Sequence, residues 1–224
     1  MNYWKNKRVL ITGGTSGLGQ QLAHQLLHLK AQVAVVARHR PDMPVGYFIA
    51  GDVSDQHQTH RIYAEAVHAL GGVDVLINNA STLGPTPLRL LMDTECEDLA
   101  LVLQTNLVGP FRLTKLAVAG MIINGHGVVI NISSDAAVSV YPRWGAYSVS
   151  KAALDHMTRI FQAELQDTGV RFVALDPGDM DTPMHLAAIP EADRAALYPP
   201  SDSAQKILAQ IASEQFQPLR RSLR

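Results

Sequence analysis

The stretch ITGGTSGLGQQLA, residues 11–23, sets the fold. It closes a strand-like run that begins at Arg8 and opens a helical pattern that continues to Leu29. Between the two stand Gly13, Gly17 and Gly19, in the spacing G-x-x-x-G-x-G. Glycine permits the tight backbone turn, and its missing Cβ lets an anion approach the peptide N–H groups. The helix that follows presents its positive N-terminal end to the same place. Such a turn at the first strand-to-helix junction points to a dinucleotide pyrophosphate, with Thr15, Ser16 and Leu18 completing the loop.

The same alternation repeats along the chain. Further strands are expected at Gln32–Ala37, Tyr47–Ile49, Val73–Ile77, Val128–Ile132 and Arg171–Leu175. Helices are expected near Gly17–Leu29, Asp55–Leu70, Glu95–Ile123 and Gly145–Asp167, the third kinking or dividing at Gly109-Pro110. Near-continuous apolar strands separated by helices imply a parallel sheet covered on both faces. The fold class is α/β: a Rossmann-like doubly wound sheet of six or seven strands, with residues 1–224 forming one domain. Four prolines, Pro183, Pro190, Pro199 and Pro200, interrupt residues 179–203. That segment reads as a substrate loop with a short helix over the carboxyl ends of the strands, where ligands bind in such sheets.

Composition narrows the function classes. The chain is 47% hydrophobic and 17% charged, with a net charge of −1, so no basic field suggests nucleic acid or a membrane surface. The single cysteine, Cys96, excludes an internal disulfide framework and fits a reducing compartment. The charged start MNYWKNKRVLITGG lacks the apolar region of a signal peptide, and no uninterrupted apolar run approaches a membrane span. A cytoplasmic protein is expected. The histidine pairs His24/His28 and His57/His60 lack further donors nearby, so no metal site is expected.

The end of the second strand, VAVVARHR, is where the adenosine ribose should lie. An acidic residue there holds the 2′-hydroxyl of NAD, whereas an arginine accommodates the 2′-phosphate of NADP. Arg38 occupies the place and no carboxylate accompanies it, so NADPH is expected over NADH.

One further stretch, WGAYSVSKAALDH, residues 144–156, carries Tyr147 and Lys151 four residues apart, hence on one helix face. Alone, the pair reads as a surface feature or as an acid catalyst. A neighbouring ammonium lowers a phenol's pKa from its usual value near 10 towards a useful range.

With these motifs in order, the chain resembles the classical short-chain dehydrogenase/reductase family across nearly its whole length. The resemblance rests on Thr12-Gly13-x-x-x-Gly17-x-Gly19, Asp52-Val53, Asn78-Asn79-Ala80 and Asn106 in TNLVG. It continues through Ser134 in NISSD, Tyr147-x-x-x-Lys151, and Pro177-Gly178 followed by Thr182. It implies that Tyr147 gives a proton to a carbonyl oxygen as hydride arrives, and that Ser134 hydrogen-bonds the same oxygen. It implies that Lys151 lowers the Tyr147 pKa and holds the nicotinamide ribose, and that Asn106 anchors a water linking Lys151 to solvent. Asp52 and Val53 should border the adenine, Asn79 and Ala80 its ribose, and Pro177, Gly178 and Thr182 the nicotinamide.

Two departures stand out. Ser81 replaces the glycine usual after Asn-Asn-Ala, and the end EQFQPLRRSLR lacks the family's last-strand segment, leaving a seventh strand in doubt. The expected partner set is a small carbonyl or alcohol substrate and a second copy of the chain, with a homotetramer as the rival assembly. The expected activity is hydride transfer with NADPH. The alternative is a redox-sensing protein that binds the cofactor without turnover, which would not need Ser134, Tyr147 and Lys151 together. An extended-branch nucleotide-sugar enzyme fits poorly, because its glycine spacing is shorter and no sizeable C-terminal substrate domain follows.

Overall fold

The computed structural model describes residues 3–40, 45–213 and 221–222. Strand β1 (Arg8–Thr12) leads through the glycine turn into helix α1 (Gly17–His28), then β2 (Gln32–Ala37) and β3 (Tyr47–Ala50). Helix α2 (Thr59–Leu70), β4 (Val75–Asn78), α3 (Cys96–Leu103) and α4 (Gly109–Asn124) follow. The second half runs β5 (Gly127–Ile132), α5 (Gly145–Glu164), β6 (Val170–Asp176), α6 (Pro183–Ala188), α7 (Pro200–Ala212) and β7 (Arg221–Ser222). All pairings are parallel, in the order β3-β2-β1-β4-β5-β6-β7. The order reverses between β1 and β4, and that switch point opens the ligand crevice of such sheets.

Period-two alternation divides the apolar residues between the two faces. Val9 and Ile11 of β1, with Val33 and Val35 of β2, meet Leu22 and Leu26 of α1 and Ile207 and Ile211 of α7. Leu10, Ala34 and Val36 point the other way, to Ile62 of α2 and Leu113 and Met121 of α4. Burying each large side chain contributes about 1.5–3 kcal/mol, so both helix layers are held by the strands between them.

The seventh strand is present as two residues, pairing Arg221 with Leu175 and Ser222 with Asp176. The rest of the C-terminal departure, residues 214–220 and 223–224, lies outside the described residues. The third expected helix divides at Gly109-Pro110 as expected, into α3 and α4, without leaving the helical path. The chain is helical throughout from Cys96 to Asn124, and a π-helical turn at Gln104–Val108 joins the two α-helical parts. Pro110 has no N–H to offer the carbonyl four residues earlier, that of Asn106, and the wider turn admits it. At 29 residues this helix is long enough to cross a bilayer. It nevertheless buries Val102, Leu113, Ala117, Val118 and Met121 within the protein and carries Glu97, Asp98, Arg112 and Lys115, as a core helix does. Helix α2 starts at Thr59 rather than Asp55, because the Asp55 carboxylate accepts from the His57 N–H at 2.8 Å and from Gln58 Nε2 at 2.8 Å, fixing a turn.

Candidate active site

The glycine turn is fixed by its neighbour strand. Thr12 Oγ1 accepts from the backbone N–H groups of Asn79 and Ala80, each at 3.0 Å. The Asn79 side chain returns two bonds, Nδ2 donating to the Thr12 and Gly13 carbonyls at 3.0 Å. Gly13 sits at φ +66°, and a Cβ there would lie 2.9 Å from Ala80 Cα. Gly19 faces inward, where a Cβ would fall 2.2 Å from the Gly13 carbonyl oxygen. The first turn of α1 is thereby drawn against the loop, and Ser16, at its cap, makes no side-chain capping bond. Asn79 thus fastens the glycine turn to the end of β4 while also lining the cleft.

Above the turn lies a cleft of about 770 Å³, running from Arg38 to the 179–199 segment. Within the usual range for ligand sites, it is roomy enough for a large cofactor and a small substrate. Gly13, Thr15, Ser16, Gly17, Leu18, Arg38, Asp52, Val53, Asn79 and Ala80 line one half. Ser134, Tyr147, Lys151, Pro177, Gly178 and Thr182 line the other. Of the residues expected at the site, only Gly19 and Asn106 stand outside this lining. At Gly17, with φ +49°, a Cβ would meet nothing nearer than Thr182 Cγ2 at 3.4 Å, so the wall stays open there. Asp52 is occupied locally, its Oδ1 accepting from Ser54 N at 2.9 Å and Ser54 Oγ at 2.7 Å. These features suit a dinucleotide: an open helix N-terminus, a close-approach loop, and Arg38 at the far end.

Helix α5 supplies the reactive pair. Lys151 is 2% exposed, and Nζ donates to the Ile132 carbonyl at 2.7 Å, 5.5 Å from the Tyr147 ring centroid. Burial pulls its pKa down to about 8, with Asp155 opposing. Tyr147 is 8% exposed, its ring edge-on to Trp144 at 5.8 Å. Burial pushes its phenol up to about 12; hydrogen bonds with Ser134 and Ser81 oppose this, while Asp176 and Asp135 reinforce it. The expected depression by Lys151 is therefore reversed in this structure. Desolvation sets the direction, and the Lys151 ammonium donates to a strand carbonyl.

Ser134 caps the short turn Asp135–Ala137, accepting from Ala136 N at 3.2 Å and donating to Asp135 Oδ1 at 3.1 Å. Tyr141 donates to the other Asp135 oxygen at 2.6 Å. Asn106, 1% exposed, sits behind the cleft. Its Oδ1 accepts from Thr82 N at 2.8 Å and Ser81 Oγ at 3.2 Å, and its Nδ2 donates to Thr82 O at 2.9 Å and Ser150 Oγ at 3.0 Å. A side chain so engaged fastens the 81–82 loop to α5, and its amide is spent on protein partners. Among the cleft residues that sequence reasoning did not assign to the site, Asp135, Tyr141 and Ser81 hydrogen-bond its hydroxyl groups or their partners. Only Ser81 gave a signal, as a departure from the family's glycine.

The 179–203 segment forms the far wall. Thr182 caps α6, accepting from His185 N at 3.2 Å, and Arg194 makes two bonds to Asp181 at 3.0 and 2.9 Å. Met180, Met184, Ile189 and Leu197 face the cleft.

Comparison with known proteins places the chain among oxidoreductases of one family. An uncharacterised oxidoreductase of Thermotoga maritima is 36% identical over 189 residues, 80% of this chain and 73% of that protein. One from Mycobacterium bovis is 32% identical over 80% of this chain, which spans only 57% of that protein's length. The crystal structure of a short-chain dehydrogenase from Streptomyces avermitilis superposes with a TM-score of 0.84 at 25% identity, over 97% of this chain and 88% of that one. Residues 7–192 match the family model for short chain dehydrogenases, from the start of β1 past the end of α6, so the chain belongs to that oxidoreductase family.

Proposed function

We propose that the protein is an NADPH-dependent reductase that interconverts a small carbonyl compound and its secondary alcohol. The observation that carries this reading is the convergence of Ser134, Tyr147 and Lys151 on the same cleft that the glycine turn opens. A bound nicotinamide would supply the hydride. Tyr147, with its pKa near 12, is protonated at neutral pH and serves as the general acid that gives its proton to the carbonyl oxygen. Ser134 lies beside it to orient that oxygen. Lys151, mostly charged at neutral pH, supplies a cation beneath the phenol and holds the ribose hydroxyls. Arg38, exposed at the end of β2, meets the 2′-phosphate as a guanidinium does. The apolar side chains of Met180, Met184, Ile189 and Leu197 favour a substrate with a hydrocarbon portion.

A homodimer would cover the exposed apolar residues Phe111 of α4 and Val149 and Ile160 of α5. Light scattering giving a monomer mass would dispose of that assembly.

The test of the activity is a parallel titration with NADPH and NADH, followed by assays with a panel of ketones and aldehydes. The expected result is tighter NADPH binding and cofactor oxidation that depends on the carbonyl. Tight binding with no turnover across the panel would transfer the reading to a redox sensor. Failure to bind either nucleotide would end both.

A further inference from the structure

Three hydroxyl groups meet in the cleft, and the third, Ser81, has no counterpart where the family's usual glycine stands. Ser81 follows the Asn78-Asn79-Ala80 turn at the end of β4, lines the cleft, and hydrogen-bonds the Tyr147 side chain. Its Oγ also donates to Asn106 Oδ1 at 3.2 Å. Ser134 also hydrogen-bonds the Tyr147 side chain, but its own proton is held more firmly: its hydroxyl donates to the carboxylate of Asp135 at 3.1 Å, a charge-assisted bond, while accepting from Ala136 N. The acceptor of Ser81 is a neutral amide oxygen that Thr82 N already supplies at 2.8 Å. Turning the Ser81 O–H away from Asn106 therefore leaves no unsatisfied partner behind, whereas turning the Ser134 O–H away strips a donor from a carboxylate.

We infer that Ser81 is a further catalytic residue of this site, a hydroxyl that swings from Asn106 to the Tyr147 oxygen when that oxygen loses its proton. The inference rests on the reductase reading above. In the resting site Asn106 Oδ1 holds the Ser81 proton. As Tyr147 gives its proton to the carbonyl oxygen, the phenolate becomes the stronger acceptor and takes the Ser81 hydrogen bond. No covalent bond of Ser81 is made or broken. In the oxidative direction the same bond steadies the phenolate that must accept the alcohol's proton. The charged groups facing the phenol are Lys151 on its own helix, Asp135 in the turn after β5 and Asp176 at the end of β6. Both carboxylates oppose phenolate formation, and Ser81 offsets them. The arrangement also links the phenol to Asn106, which through Ser150 reaches the Tyr147 backbone carbonyl at 2.6 Å.

The experiment compares wild type, Ser81→Ala and Ser81→Thr in alcohol oxidation across pH, with binding of NADPH measured separately. Ser81→Ala is expected to lower kcat by roughly ten-fold and to move the acidic limb of kcat/KM upward by about half a pH unit or more. Ser81→Thr, which keeps the hydroxyl, should restore both, and NADPH affinity should be unchanged throughout. A uniform loss at all pH values with an unmoved limb would reduce Ser81 to a structural prop for Asn106 and overturn the proposal. A second readout needs neither cofactor nor turnover. In protein carrying ¹³Cζ-tyrosine, the resonance that disappears in Tyr147→Phe should move in Ser81→Ala and not in Ser81→Thr. An unmoved resonance overturns the proposal even if the enzyme has no activity on the panel. Absent turnover with a shifted resonance would count against the reductase reading alone.

Discussion

The same parallel strands end in opposite ways at the two edges of the sheet. At the amino edge, Arg8 opens β1 and Asp74 precedes β4, and three hydrogen bonds reach the Asp74 carboxylate from Arg8: Arg8 N and Nε to Oδ2 at 2.9 and 3.0 Å, and a terminal guanidinium nitrogen to Oδ1 at 2.6 Å. The other terminal nitrogen reaches the Gly71 carbonyl at 2.7 Å. At the carboxyl edge, Thr12 and Asn79 are likewise spent on each other's backbones, but Ser81, Ser134 and Tyr147 meet around a cleft. The amino edge closes the polar balance between neighbours. The carboxyl edge keeps a phenol at a raised pKa and a lysine at a lowered one, which costs stability and supplies chemistry.

The contrast can be broken at either edge, and the largest effect is expected at the upper one. Tyr147→Phe should lower turnover by about 10²–10⁴-fold, the usual worth of a positioned acid, while the urea midpoint stays near that of wild type. Turnover within a factor of a few of wild type would remove Tyr147 from the chemistry. Arg8→Ala should do the reverse, leaving kcat intact and costing about 2 kcal/mol in urea unfolding, because Asp74 keeps its burial and its backbone donor but loses both guanidinium donors. Burial raises the Asp74 pKa, but the Arg8 bonds outweigh it and hold the carboxyl below its usual range. Its contribution is therefore full above the unfolded value of about 3.9 and is lost as pH falls through the lower folded value. The gap between Arg8→Ala and wild type should narrow in acid; a constant gap would assign the loss to packing. Arg38→Ala, the mildest change, should reduce the NADPH-over-NADH preference by about ten-fold without altering NADH affinity, as expected for one lost phosphate contact of about 1.4 kcal/mol. Equal losses for both nucleotides would move the 2′-phosphate elsewhere.

Much of this was legible in the chain because the deciding signals are local. Glycine spacing, strand alternation and the Tyr147–Lys151 interval each depend on residues a few positions apart, and each expected cleft residue except Gly19 and Asn106 lines the cleft. What eluded reading depends on distance and burial. The direction of the Tyr147 pKa is set by desolvation, a property of the folded surroundings, and not by the adjacency of a lysine in sequence. Pro110 marked where the helix divides but not the form the division takes; a π turn makes it, and Asn106 within that turn bonds the 81–82 loop and Ser150. The carboxylate of Asp135, which binds both Ser134 and Tyr141, was invisible because neither partnership follows from spacing.

The clasp between Thr12 and Asn79 bears on how the cleft opens and closes. Four hydrogen bonds tie the glycine turn to β4, so the turn moves with the sheet as one body. Across from it, neither α6 nor the short turn Arg194–Ala196 contains a buried residue, and segments with so few apolar contacts detach at a lower free-energy cost than the strands beneath them. The cleft thus has one anvil and one light hammer: the glycine-turn side is fixed at folding, and residues 179–199 form the wall that yields at the lower cost.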